Sequence, residues 1–125
     1  MSEHALLSPS SAHRWLHCLP SPRLEATLPE RSSRDADEGT LAHSVCEISA
    51  KKKFKKVKAA EYNRVIKQLK KDELWDDEML RTAETYVDHL AERSMSFESE
   101  PYVAFEVKVD LASYVPESFG RCDCV

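Results

Sequence analysis

The residues best suited to chemistry in this 125-residue chain stand in Glu38-Gly39-Thr40-Leu41-Ala42-His43-Ser44-Val45-Cys46-Glu47. His43 and Glu47 are four positions apart. On a helix that spacing stacks both side chains on one face, where an imidazole and a carboxylate can reach one metal ion. The same spacing also makes an ordinary surface pair, so it gains weight only if other ligands converge on it. Five lysines follow, Lys51, Lys52, Lys53, Lys55 and Lys56, around Phe54. Such a run attracts phosphate if it faces a binding groove; otherwise it is a solvated helix end, favourable against the carbonyl end of the helix dipole. Acidic residues near the later lysines favour the solvated reading.

Composition narrows the field. With 42% apolar and 32% charged residues, the chain reads as one soluble globular domain over residues 1–125. A formal charge of −4 argues against non-specific coating of nucleic acid but leaves room for a local basic groove. No stretch is apolar over a membrane-spanning length. The N-terminus carries Glu3 and no continuous apolar segment, so it does not read as a secretory signal, and a cytoplasmic location follows as the expectation. In that compartment Cys18, Cys46, Cys122 and Cys124 should be reduced, and their spacing does not match a zinc ribbon, which leaves buried free thiols. The two glycines, Gly39 and Gly120, should each mark a special backbone position or a close approach.

Apolar periodicity places these residues on elements. Ser8 and Pro9 form a start signal for a short helix over 8–18, with Ala12, Trp15 and Leu16 docking it on the body of the protein. Leu19-Pro20-Ser21-Pro22 should stop it, followed by a loop with a helical turn around Leu24. Residues 34–54 read as the helix of His43, regular from near Gly39, with Leu41, Val45 and Ile48 buried. Two more helices are expected, over 58–71 and from Asp76 to Ser94. From Pro101 the period changes to two, with Val103, Phe105, Val107 and Val109 on one face of a strand. A loop to Phe119 leads into a second strand from Gly120. Glu106-Val107-Lys108 spells an acid-x-lysine pattern, which mixed charge on one strand face explains without function.

The order of motifs resembles the N-terminal portion of the RecB-like branch of the PD-(D/E)XK nuclease superfamily, in particular phage and prophage proteins that begin with a Ser-Pro-Ser-Ser motif. It rests on Ser-Pro-Ser-Ser with Trp15, Leu16 and Cys18, on Glu-Gly-Thr-Leu-Ala-His with Glu47, and on Gly-Arg-Cys-Asp after a strand. The match is strongest over residues 7–47 and 102–125. It implies that His43 and Asp123 bind a divalent metal, Mg²⁺ or Mn²⁺, with Glu47 in support, and that the activity is metal-dependent hydrolysis of DNA phosphodiesters. In such enzymes a lysine stabilises charge on the phosphoryl oxygens, from an acid-x-lysine motif about a dozen residues after the aspartate. Here the sequence stops two residues after Asp123. The expectation is therefore the front part of a nuclease domain that does not cut DNA efficiently by itself.

The fold class expected is α+β, a helical N-terminal layer of about four helices on the start of a small mixed sheet whose edge is open. The second functional expectation uses that edge: a small acidic protein that docks on a host nucleic-acid enzyme, inhibiting a CRISPR or restriction nuclease by strand addition or phosphate mimicry. The resemblance disfavours an iron–sulfur cluster: in related RecB-like exonucleases a cysteine placed like Cys18 joins others beyond the acid-x-lysine motif, and Cys122 and Cys124 stand before that point.

Overall fold

The computed structural model describes residues 5–125. It is α+β, with a short 3-10 turn, five helices and a two-stranded antiparallel sheet among the described residues, the helices preceding the strands. The chain divides into two compact units, residues 32–103 and a unit built from residues up to 31 together with 104–125.

The helical unit holds three of the helices. Helix α3 runs from Arg34 to Lys53. Ser33 caps it, its hydroxyl accepting from the Ala36 amide at 3.2 Å, and Asp35 and Asp37 complement the dipole in the first turn. The helix thus begins five residues before Gly39, which lies within it. A Cβ at Gly39 would meet nothing within 4 Å, so this glycine marks neither a turn nor a close approach, contrary to the sequence expectation. Helix α4 spans Ala59–Leu69 and α5 spans Glu78–Ser94. Leu41, Val45 and Ile48 of α3 meet Ile66 of α4 and Met79 and Ala83 of α5 in one buried cluster. Val45 is fully buried at its centre. Burial of this stripe, at roughly 1.5–3 kcal/mol per large aliphatic side chain, holds the three helices together.

Helix α3 ends in a Schellman turn. The Lys56 amide donates to the Lys51 carbonyl at 2.8 Å and the Lys55 amide to Lys52 at 3.1 Å. Lys55 occupies the left-handed position with φ 57°, where glycine is the usual residue.

The second unit contains the N-terminal turn and the β-hairpin. Pro9–Ser11 forms the 3-10 turn, followed by α1 (Ala12–Trp15) and α2 (Ser21–Glu25). The expected helix over 8–18 is therefore broken into two short pieces. Ser8 stands at the cap position, but its hydroxyl bonds to that of Ser11 at 2.7 Å and caps no amide. Leu16, expected to dock, terminates α1 and is 63% exposed. Trp15 instead anchors the turn, its indole N–H donating to the Ser8 carbonyl at 3.0 Å.

Strand β1 (Phe105–Asp110) pairs with β2 (Phe119–Cys124), with Val107 opposite Cys122 and Lys108 opposite Arg121. Reciprocal bonds between Ala104 and Val125 at 2.9 Å extend the ladder. The sheet is this one antiparallel pair, with no third strand on either edge among the described residues. Gly120 has the role expected of a glycine: a Cβ there would lie 3.3 Å from Pro9 Cγ, so its absence lets the Ser-Pro-Ser-Ser turn lie close on the strand. Ser118, buried, ties the hairpin to the N-terminal segment by donating its hydroxyl to the Leu7 carbonyl at 2.7 Å.

Candidate metal centre

Asp123 lies on β2, exposed, and across the hairpin from it stands Glu106 of β1, half-buried. Carboxylate oxygens of the two residues lie within 4.8 Å of one another. The register that pairs Phe105 with Cys124 and Val107 with Cys122 would also pair Glu106 with Asp123, yet that ladder pair is missing. The reason is local: Glu106 has φ 53°, the left-handed region, inside an otherwise extended strand. A non-glycine residue held there stores roughly 1–3 kcal/mol of backbone strain, and such positions gather at sites where a side chain must be aimed.

The donor set fits a hard divalent cation. Two oxygens on one Mg²⁺ are at most about 4.2 Å apart, twice its bond length, and on Ca²⁺ at most about 5 Å. A small rotamer adjustment would bring both carboxylates onto one ion. Two carboxylates this close also repel when ionised, and a shared cation relieves that repulsion.

Neighbouring groups are defined. The Lys108 ammonium sits 4.2 Å from the centroid of the Phe119 ring. Burial pushes the Cys124 thiol up from its ordinary pKa, and the adjacent Asp123 carboxylate pushes it further in the same direction. All four cysteines are free thiols. They are not the buried set expected: Cys18 and Cys122 are exposed, while Cys46 and Cys124 are half-buried. Burial also raises the pKa of Cys46.

The residues singled out on α3 behave differently from one another. His43 is exposed, in the first half of the helix. Glu47, one turn on, is ion-paired with Lys51, also one turn further along the helix. That arrangement, glutamate N-terminal to lysine at i, i+4, is the favourable orientation. It matches the Glu47 charge within the helix, and the carboxylate that the hairpin sets beside Asp123 is Glu106. The basic run is likewise dispersed. Lys51 is held by Glu47, Lys52 lies 4.2 Å over the Tyr62 ring, and Lys55 forms the Schellman turn. Lys53 and Lys56 are exposed.

Sequence reasoning passed over Glu106 because period-two alternation accounted for it. The available signal was the Glu-x-Lys spelling itself, on the strand that pairs with Gly-Arg-Cys-Asp. No helix among the described residues is long and apolar enough to cross a membrane. No solved structure matches the chain. Residues 4–125 match a family model described as a protein of unknown function, DUF2800, and the chain belongs to that family.

Proposed function

We propose that this chain carries the metal-binding part of a PD-(D/E)XK, RecB-like nuclease centre, with Asp123 and Glu106 as its carboxylate ligands and His43 as the third. The reaction served is hydrolysis of DNA phosphodiesters. The observation that carries this reading is the meeting of two carboxylates on the hairpin at a strained backbone position. It is supported by the sequence order, in which the helix histidine precedes the strand aspartate as in the nucleases that the chain resembles.

When bound, Mg²⁺ or Mn²⁺ would polarise a phosphate and make an attacking water more acidic. The role of Asp123 and Glu106 is to hold the ion by hard oxygen donors at the hairpin surface. A nitrogen donor from His43 shifts preference from Mg²⁺ toward Mn²⁺, which lies on the transition-metal series that imidazole suits better. In the resembling nucleases a lysine from a later strand stabilises the phosphoryl oxygens. The role assigned to Asp123, Glu106 and His43 is metal binding. A cytoplasmic setting agrees with four unpaired thiols.

The test is calorimetric titration of Mn²⁺ into the chain and into its Asp123→Ala and His43→Ala variants. The expected result is one site, lost in Asp123→Ala and weakened at least about tenfold in His43→Ala. Unchanged Mn²⁺ binding in Asp123→Ala would contradict the assignment. A competing reading uses the hairpin differently: among the described residues no third strand flanks β1 or β2, and such edges accept strands from protein partners. A chain that binds no divalent metal would favour it.

A further inference from the structure

One step along the hairpin from the two carboxylates stand two cations. Lys108 and Arg121 are register partners, each two residues from its carboxylate on the same strand, Glu106 on β1 and Asp123 on β2. Two residues along a regular strand is about 6.6 Å, so Arg121 shares a face with Asp123, while the left-handed backbone at Glu106 re-aims that side chain. Like charges directly opposite on an antiparallel pair destabilise it, so this pairing lacks a structural benefit of its own. Neither cation has a carboxylate partner among the described residues. The next carboxylate along β1, Asp110, accepts from the Ala112 amide at 2.9 Å and is committed to the turn. The Phe119 ring beneath Lys108 holds its ammonium in place by a cation–π contact without neutralising it. Both side chains are exposed.

We infer that Lys108 and Arg121 form a phosphate clamp that binds the backbone of a nucleic-acid strand beside the carboxylate pair. The inference rests on the nuclease reading for its ligand class. Arg121 adds a planar fork suited to two phosphate oxygens, and Lys108 adds a compact point charge. An anion between them removes the repulsion of the cation pair. The carboxylates at the adjacent step limit how far the phosphate can slide unless a metal ion covers them.

The experiment measures fluorescence anisotropy of a short labelled oligothymidylate with the full chain in EDTA, across a salt series. Metal-free conditions separate this clamp from the metal centre. Wild type is compared with Lys108→Gln/Arg121→Gln and with Lys108→Arg, and circular dichroism checks that each is folded. The double variant should bind about tenfold or more weakly, with a salt slope shallower by about 1.4, the value for two fewer phosphate contacts on a single strand. Lys108→Arg, which keeps the charge, should bind within about twofold of wild type. Equal affinity and slope in wild type and double variant, or no binding by wild type, would overturn the clamp. Mn²⁺ calorimetry on the double variant should still show the metal site, so failure of the clamp and failure of the metal centre give different results.

Discussion

The two units divide the work of the molecule. Residues 32–103 contain every member of the buried hydrophobic cluster, with Val45 at its centre, and there Glu47 pairs with Lys51 along α3. The hairpin unit contains the convergent carboxylates, the opposed cations and the strained Glu106, yet among its described residues only Pro22 and Ser118 are buried. Packing is concentrated in the helical unit, while the paired carboxylates and cations stand on a hairpin where little packing depends on them. Strain and like-charge opposition are tolerable on a surface hairpin and would be ruinous in the core of α3, α4 and α5.

Substitutions on each side should separate the two properties. The largest effect is expected from Val45→Asp, which places an unpaired charge in the fully buried centre of the helical cluster. It should lose at least about 4 kcal/mol in urea unfolding, enough to abolish the helical signal in circular dichroism. Asp123→Asn should shift unfolding by less than about 0.5 kcal/mol while removing Mn²⁺ binding. A large stability loss in Asp123→Asn would erase the contrast.

Smaller changes sharpen it. Ser118→Ala removes the hydroxyl that donates to the Leu7 carbonyl and should destabilise by about 1 kcal/mol in thermal unfolding. Lys55→Gly relieves a left-handed lysine at the end of α3 and should raise stability by up to about 1 kcal/mol. The subtlest readout is Cys124. Its pKa is raised first by burial and then by the Asp123 charge, so the thiol stays protonated to higher pH than usual. Because the raised group is an acid in its neutral form, its contribution to stability is full below the unfolded pKa and is lost as pH rises through the folded one. Asp123→Asn removes one of the two causes, and iodoacetamide should then label Cys124 faster at mildly alkaline pH.

The helical unit was legible because its information is local and repetitive. Leu41, Val45 and Ile48 recur at helical spacing, and the same period marks α4 and α5. What escaped was that the regular part of α3 starts at Arg34, capped by Ser33, and not near Gly39. The hairpin was legible as a pair of alternating strands, and Gly120 as a close approach. Glu106 was not, because alternation describes a regular strand and a single left-handed residue re-aims its side chain without shifting the register. Glu47 drew attention by its spacing from His43, but the same helical geometry also gives it Lys51 as a partner. Spacing rules say which groups can meet; they do not rank competing partners.

The central claim is that Glu106 and Asp123 act as one metal-binding unit. A double-substitution cycle tests it directly: Mn²⁺ affinity measured for wild type, Glu106→Gln, Asp123→Asn and the double variant. If both oxygens hold one ion, each single change should weaken binding at least about tenfold, and the double change should cost clearly less than the sum of the two. Affinity that is indifferent to Glu106→Gln, or losses that simply add, would contradict a shared centre on the hairpin.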